Sequence, residues 1–360
     1  MSEQKEILQE SVTRLFGDLV TRDALKAAEE GEWPAALWSA LEENGLTQPL
    51  TPEDQGGVGA SWDDVFVVLR AAGYFAAPVP LAETIVAGWL LSQAGLPVPP
   101  GPLTIAHRGQ AAGLEAVKSR GGWRASGRLT AVPCGRHAGH VVTLTEIEGG
   151  LRPALIPVQG AAVEHDLNIA REPRDTLAFD AAPAEIGAAV ETSGDGDAVR
   201  LYGAMARSAQ MAGACERALA EAVQYAQDRV QFGRPIGKFQ AIQHQLAALA
   251  AKSAQATMAA AAAFRAADRG DPRFEVACAK IVAGEAAGLA AAVSHQVHGA
   301  IGFTYEHALH FTTRRLWSWR PEFGAESHWA EELGRRTAAR GPQTLWTELT
   351  ERQSGRAHRG

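Results

Sequence analysis

The second half of the chain, residues 195–349, is dominated by alanine and other strong helix formers. Three stretches are long enough for helices of many turns: "MARSAQMAGACERALAEAVQYAQDR", "FQAIQHQLAALAAKSAQATMAAAAAFRAADRG" and "PRFEVACAKIVAGEAAGLAAAVSHQVHG". Alanine has the highest helix propensity, and its small side chain lets neighbouring helices approach closely. The pattern predicts helices packed as a bundle or at a subunit interface.

The rest of the chain divides into two further regions. Helical periodicity recurs in "EILQESVTRLFGDLV", "WPAALWSALEENG" and "WDDVFVVLRAAGYFAA", whereas "GGWRASGRLTAV" and "AGHVVTLTEI" are β-type segments between glycine and proline turns. We therefore predict an α+β, mainly α protein with three domains and a frayed tail. These are a helical domain at 1–98, a β domain at 99–190, a helical bundle at 195–350 and the tail at 351–360.

Composition argues against several classes of partner. The net charge of -7 disfavours nucleic acid, because phosphate binding needs a basic face. We expect no membrane insertion, because no apolar run approaches the roughly 18 to 20 residues that span a bilayer. The polar N-terminus has no signal-peptide core. Cys134, Cys215 and Cys278 are far apart without metal-ligand spacing, which favours reduced thiols, no metal and a cytoplasmic location.

The segment "DRVQFGRPIGKFQ", residues 228–240, interrupts the helical half. It puts Arg229 at the end of one long helix and Gln240 near the start of the next. An arginine there offers a planar fork of donors that suits a phosphate or carboxylate. Alone the signal is weak, since a single arginine at a helix end is more often a solvated charge.

A second segment, "SHQVHGAIGFTYEHALHFTTRRLW", follows the last long helix. Gln296 lies on that helix, and Gly299 and Gly302 follow, where backbone amides can approach an anion closely. The alternative is an ordinary helix C-cap.

Together the two segments resemble the acyl-CoA dehydrogenase family, over most of the chain and most clearly over 204–335. The resemblance implies an N-terminal helical domain, a middle β domain and a C-terminal four-helix bundle, usually assembled as a tetramer of paired dimers. It also implies α,β-dehydrogenation of an acyl-CoA with FAD. The matching residues, which in the family grip the pyrophosphate and adenine half of FAD bound mainly by the neighbouring subunit, are Arg229, Phe232, Gly233, Phe239, Gln240, Gln296, Gly299, Gly302 and Phe303.

The family reaction needs a carboxylate base in a dry pocket, where burial raises its pKa. Counting at the family's spacing from Gly299 reaches Phe323 instead of the usual glutamate. Glu306, Arg314 and Gly324 match family positions around it, so the frame is sound. The resemblance therefore implies that the usual base is missing.

Some family members carry the base on the preceding helix, and that position here is Gly203. Glu322 is one residue before the usual position, so its side chain is expected to point elsewhere unless the loop slips by one residue. Arg207, one turn after Gly203, is predicted to be a solvated or interface charge.

The contacts that family members make with their own FAD are also missing. The family residues that would contact the chain's own FAD are substituted, whereas the residues that would contact the neighbour's FAD are retained. The substituted positions are Arg128, Leu129 and Thr130 in the β domain, and Ala325 and Ser327 after the base position.

This asymmetry resembles the heteromeric acyl-CoA dehydrogenases of bacterial steroid side-chain degradation, in which two different chains pair and only one carries the base. The leading hypothesis is a base-lacking subunit that pairs with a glutamate-carrying chain, acts on an acyl-CoA and passes electrons to an electron-transfer flavoprotein or similar acceptor. One alternative is a self-sufficient flavoenzyme that uses Glu322 or needs no base. Another is a flavin-free scaffold subunit. The tryptophan-rich segment 314–324 is expected at the substrate entry, at the pair interface or in ordinary packing.

Overall fold

The computed structural model describes residues 3–53, 57–192 and 194–341, together with 343, 346 and 350. The tail predicted at 351–360 lies outside them. Along the chain, a helical region is followed by a sheet and then by a second helical region.

The N-terminal region is helical. Its fourth helix begins with a capping box, in which the Asp64 amide donates to Ser61 Oγ and the Ser61 amide donates to Asp64 Oδ2, both at 3.1 Å. Such a box satisfies amides that the first helical turn leaves unpaired. The helices are α1 (Glu3–Leu19), α2 (Arg22–Glu29), α3 (Ala35–Glu43), α4 (Trp62–Tyr74) and α5 (Leu81–Gln93).

Seven strands form the middle region, in the order β1-β4-β5-β7-β3-β2 with β6 beside β7. Along β3 the pattern alternates as expected for one covered face, since Ala125 and Leu129 are buried and Arg124 and Arg128 are exposed. The strands are β1 (Leu103–Ala106), β2 (Ala111–Ser119), β3 (Gly122–Pro133), β4 (His140–Ile147), β5 (Gly150–Pro157), β6 (Ala162–Glu164) and β7 (Arg174–Ile186).

The C-terminal region is built around α6, which packs against α4, α7, α8 and α9. Two glycines permit the crossing of α4 and α6. A Cβ on Gly73 would lie 2.0 Å from the Gln210 carbonyl oxygen, and one on Gly213 would lie 1.9 Å from the Arg70 carbonyl oxygen. The elements are α6 (Ala198–Asp228), the short strands β8 (Val230–Gln231) and β9 (Arg234–Pro235), α7 (Gln240–Ala267), α8 (Arg273–His298), α9 (Leu309–Trp319) and α10 (Glu326–Arg340). The predicted fold class is confirmed.

One helical segment in the described part of the chain, Arg273–Phe303, is long and apolar enough by length and composition to cross a membrane. The expectation that no stretch reaches this length was wrong, because closely spaced alanines raise the mean hydropathy of α8 to 1.6 over an 18-residue window. Within the protein 61% of that window is buried. A core helix of a bundle has the same properties.

Candidate functional site

The two sequence motifs meet at one end of the C-terminal bundle. Tyr225, in the last turn of α6, stacks on His298, the last residue of α8, with ring centroids 4.5 Å apart. Arg229 follows the end of α6 and Gly299 follows the end of α8. Gln240 begins α7 across the β8–β9 hairpin, where the Ile236 amide donates to the Arg229 carbonyl at 2.8 Å.

Most of the predicted cofactor-binding residues at this end are exposed. Arg229, Gln240 and Gln296 reach solvent, and Phe232 and Phe303 are 92% and 72% exposed. Within the described ranges, Arg229 makes no ion pair. A guanidinium fork suits an anionic group, and exposed aromatic rings at the same end of the bundle suit an apolar or planar partner. The residues with backbone or side chain on this surface are Arg229, Phe232, Gly233, Gln240, Gln296, Gly299 and Phe303.

Gly302 differs from these residues because it is buried. A Cβ at this position would lie 3.0 Å from His298 Cβ and 3.2 Å from His295 Nδ1. Close packing under the loop therefore accounts for this glycine without any ligand, and its predicted cofactor contact stays a prediction.

The two positions at which a base was sought lie against each other. A Cβ on Gly203 would lie 2.5 Å from Phe323 Cδ1 and 2.6 Å from Cε1, so the phenyl ring rests directly on the α6 backbone. Phe323 is 4% exposed and has a positive φ of 56°. The ring occupies the space that a side chain at residue 203 would need, and neither position supplies a carboxylate.

Glu322, one residue before Phe323, is held by two arginines. Its Oε1 accepts from Arg174 Nε at 2.7 Å, and its Oε2 accepts from Arg207 Nε at 2.6 Å. Both oxygens are thus occupied by charge-assisted hydrogen bonds. The expectation that the Glu322 side chain points away from the base position stays a prediction.

Arg207 is buried, at 3% exposure, so its prediction as a solvated or interface charge was wrong. Besides Glu322 it donates to Glu83 and Gln210, and its guanidinium lies over the rings of Trp319 and Phe323 at 5.6 and 5.7 Å. The burial of Arg207 could not be predicted from its neighbours in sequence, because the carboxylates that neutralise it come from distant segments.

A second buried carboxylate, Glu172, extends the network. It accepts from Arg174 Nη2 and from Trp319 Nε1, both at 3.0 Å, and pairs with Arg315 at 3.2 Å. Burial alone would raise the pKa of Glu172, but Arg174, Arg315 and Arg207 outweigh burial and lower it to about 2. We call the whole set the six-charge cluster: Glu83, Glu172, Arg174, Arg207, Arg315 and Glu322.

The six-charge cluster joins all three regions. Glu83 comes from α5, Arg174 is the first residue of β7 and Glu172 lies two residues before it, and the other three come from the C-terminal region. The cavity between the regions is lined by Cys134, Arg174, Arg207, Gln210 and Trp319 among others, and its free volume is about 40 Å³. That space suits roughly two or three water molecules, so no flavin ring or acyl chain fits there.

The β-domain side of this junction carries His107. Its ring lies 5.8 Å from that of Phe323. Burial lowers the pKa of His107 to about 4, although Asp197 acts in the opposite direction. A neutral imidazole therefore faces the base position near neutral pH. Arg128, by contrast, is exposed and pairs with Glu164 at 3.0 Å.

The loop that carries Phe323 is fixed from below by Lys280, which is fully buried on α8. Its ammonium donates to the carbonyls of Arg320 at 2.6 Å and Gly324 at 2.8 Å. Burial lowers the pKa of Lys280 to about 7, with Glu326 and Glu322 acting against it. Of the tryptophans in this segment, Trp319 is buried and Trp317 is 46% exposed.

Comparison with known proteins identifies the family. The model described as "Acyl-CoA dehydrogenase, C-terminal domain" matches residues 201–335, and "Acyl-CoA dehydrogenase, N-terminal domain" matches residues 2–97. The protein "Acyl-CoA dehydrogenase IpdE2" of Mycolicibacterium smegmatis is 30% identical over 88% of this chain and 93% of its own length. The chain belongs to the acyl-CoA dehydrogenase family.

Solved structures agree with this assignment. A chain of the "Tcur3481-Tcur3483 steroid ACAD" superposes with a TM-score of 0.83 at 27% identity, over 92% of this chain and 97% of its own. A chain of the "ChsE4-ChsE5 complex" from Mycobacterium tuberculosis superposes with a TM-score of 0.85 at 24% identity, over 95% and 99%. The second likeness speaks for the fold alone.

Acyl-CoA dehydrogenases generally bind FAD, and this chain fits that cofactor on one side only. The exposed end of the bundle carries Arg229, which makes no ion pair with the described residues, as well as exposed glutamines and aromatic rings. Side chains of these types can bind the phosphate and adenine part of a cofactor. The cavity at the junction of the three regions, at about 40 Å³, is too small for the flavin ring. Sequence reasoning found the first surface and missed Glu83, Glu172, Arg174 and Arg315. The signal for a buried network was an arginine, Arg207, inside the largely apolar stretch 201–215 of α6.

Proposed function

We propose that this acyl-CoA dehydrogenase chain is the base-lacking subunit of a heteromeric, FAD-dependent enzyme. A second family chain would carry the catalytic glutamate and the flavin ring, and this chain would grip the distal half of that FAD. The observation that carries the proposal is the contact between Phe323 and Gly203, which fills the position of the base with a phenyl ring. The exposed motif around Arg229 would supply the other part of this arrangement, the surface that binds the distal half of the partner's FAD.

The two chains of the proposed complex would have different roles. FAD supplies the hydride acceptor for α,β-dehydrogenation of the thioester. This chain's Arg229 and Gln296 would orient the cofactor from across the interface, and the exposed Phe232 and Phe303 would be covered by the partner. The name of one structural neighbour, a steroid ACAD, supports a steroid-derived acyl-CoA as the substrate class. We further propose a cytoplasmic location and an electron-transfer flavoprotein or similar acceptor.

The alternative with Glu322 as base is disfavoured by its hydrogen bonds. An effective base must reach the substrate's α-proton within hydrogen-bond distance. Both Glu322 oxygens already accept from buried guanidinium groups at 2.6 and 2.7 Å. Freeing one oxygen would deprive a buried arginine of one of its two carboxylate partners, which is costly.

Flavin stoichiometry tests the proposal. We expect the chain expressed alone to be colourless or weakly yellow, and the complex co-expressed with a base-carrying family chain to hold one FAD per pair of chains. This chain would bind only the distal half of FAD and leave the flavin ring in water. Retention of FAD therefore requires the partner chain. Absorbance of released flavin, measured against protein concentration, gives the ratio. Two FAD per pair would support self-sufficient sites, and no flavin in any preparation would support the scaffold alternative.

Arg229→Ala should weaken FAD retention by the complex roughly 10- to 100-fold, because a lost charge-assisted hydrogen bond is worth about 1.5–3 kcal/mol. Gln296→Ala should act in the same direction with a smaller effect. Equilibrium dialysis followed by flavin fluorescence measures the change. Lys252→Ala is the control, since it removes one positive charge from α7 about 18 Å along the helix from Gln240 and breaks only an exposed pair with Glu285. Equal retention by the Arg229 and Lys252 variants would contradict the assignment.

A further inference from the structure

We propose that four histidines at the exposed end of the bundle position the loop 299–308, and that they do so only while their rings are neutral. The loop joins α8 to α9 and carries Gly299, Gly302 and Phe303 of the second motif. The inference rests on the function proposed above only for the cofactor that this loop would serve. The four-histidine cluster consists of His295 and His298 on α8, His307 in the loop and His310 in the first turn of α9.

His298 contacts both a neighbouring helix and the loop. Its ring stacks on Tyr225 of α6 and meets the ring of His307 edge-on, with centroids 4.5 Å apart in each pair. The loop backbone is equally close, because a Cβ on Gly302 would lie 3.0 Å from His298 Cβ. The side chain of His298 is only 3% exposed. The loop therefore folds directly onto a buried imidazole.

Two further rings of the cluster support aromatic side chains of the loop. His295 stacks on Phe303 with ring centroids 4.2 Å apart, and His310 lies edge-on to Tyr305 at 5.1 Å. Phe303 and Tyr305 are 72% and 66% exposed. Because so much of each aromatic side chain faces solvent, the imidazoles supply much of the packing that orients them.

Hydrogen bonds to the backbone fix the neutral form of two rings. A carbonyl oxygen can only accept, so His298 Nδ1–H donates to the Ser294 carbonyl at 2.7 Å and His310 Nδ1–H donates to the His307 carbonyl at 2.8 Å. The lone pair of each neutral ring is then on Nε2. Both Nε2 atoms are buried and have no hydrogen-bond partner among the residues that the structure describes.

His295 has the same character with its nitrogens exchanged. Thr313 Oγ1 donates to the Leu309 carbonyl at 3.3 Å, so it accepts from His295 Nε2–H at 2.9 Å. The lone pair is on Nδ1, which is buried without a partner in the described part of the chain. Burial lowers the pKa of His295, and the nearby rings of His298 and His310 lower it further.

The surroundings of His298 favour its neutral ring. A proton added at Nε2 would create a buried charge and an N–H group without an acceptor, both of which are costly. Burial lowers the pKa of His298 and His307 acts in the same direction, although the bond to the Ser294 carbonyl and Glu221 of α6 oppose them.

The surroundings of His310 act in the same sense. Burial lowers its pKa, and Arg314 of α9 and Arg22 of α2 add to this effect. The bond to the His307 carbonyl and Glu29 of α2 act against it. The charged groups around the cluster therefore do not compensate for the burial of its rings.

The pH dependence follows from the sign of these shifts. A histidine whose pKa is lower in the packed loop than in solvent, where it is about 6.5, stabilises the packed loop fully above that value. The contribution is lost as the pH falls below about 6.5, because the released loop then binds more protons than the packed loop. Acidification should therefore release the second motif from its cofactor-facing position.

Hydrogen exchange of the backbone amides in the isolated full chain tests this inference. Between pH 7.5 and 5.5, protection of 299–308, corrected for intrinsic exchange rates, should fall about 10-fold or more, the effect of one ring held fully neutral. Protection of the buried α6 stretch 201–215 should stay within about threefold. Unchanged protection of the loop, or an equal loss in both segments, would overturn the proposal.

The double variant His298→Asn, His310→Asn removes two titrating rings and keeps a side-chain N–H near the position of Nδ1. It should reduce the pH-dependent change in loop protection at least threefold, whereas His244→Asn, at an exposed position of α7, should not alter it. An unaltered pH dependence in the double variant would contradict the assignment.

Titration of the histidine rings by NMR keeps the proposal testable if the double variant is already unprotected at pH 7.5. In the unmodified chain, His298 and His310 should titrate below the ordinary value of about 6.5, and ordinary values for both would overturn the proposal. These readouts need neither flavin nor partner, so their failure is distinct from a failed flavin stoichiometry.

Discussion

Replacing Arg207 with methionine is expected to lower the free energy of unfolding of the isolated chain by about 3–5 kcal/mol. Methionine preserves much of the apolar stem that packs in the helix, but it removes the charge. Glu83 and Glu322 would then lose a buried guanidinium partner, and Glu83 is only 4% exposed. An effect of this size is a large fraction of the stability of a typical domain.

Arg217→Met is the matched control for this loss, because it makes the same substitution on the same helix. Arg217 pairs with Glu221 at 2.8 Å, four residues away, and its side chain is 37% exposed. Pairs of this kind contribute less than about 1 kcal/mol. Chemical denaturation with two spectroscopic probes measures both variants. A similar small loss for the two substitutions would show that the six-charge cluster does not stabilise the fold.

The burial of Arg207 also shows where sequence reasoning stops. The motif around Arg229 was readable because its residues are consecutive and their spacing reflects one turn between two helices. Arg207 has no such neighbourhood, since Glu83 is 124 residues away and Glu322 is 115 residues away along the chain. Only the packing of α5 and the loop after α9 against α6 brings those carboxylates to it.

The same limit applies to the position of the base. The spacing from Gly299 led to Phe323, and a separate count led to Gly203, but nothing in either count indicates that the two residues touch. Their contact follows from the positive φ at Phe323 and from the absence of a Cβ at Gly203. A backbone in the left-handed region is rarely readable from a phenylalanine, because glycine is the residue that usually marks it. The three-region order was easier to predict, because helical and β-type periodicity differ over many residues.

The largest catalytic effect is expected from the partner chain. In the assembled complex, replacing the partner's catalytic glutamate should lower turnover of acyl-CoA by about 10² to 10⁴-fold, the usual result of deleting a general base. Glu322→Gln in this chain should leave turnover of the folded complex within about threefold of the unmodified enzyme. The physical reason is that each Glu322 oxygen accepts a charge-assisted hydrogen bond from Arg174 or Arg207, and proton abstraction would weaken these bonds.

Stability and chemistry must be separated in this comparison, since Glu322→Gln is also expected to weaken the fold. Turnover is therefore measured well below the unfolding midpoint of the variant and divided by the concentration of bound flavin. The two roles of Glu322 then give different results. Loss of a catalytic base lowers the rate per flavin, whereas loss of a stabilising ion pair lowers the fraction of complex that survives heating. A hundredfold fall in the rate per flavin for Glu322→Gln would assign the proton transfer to this chain and end the proposed division of labour.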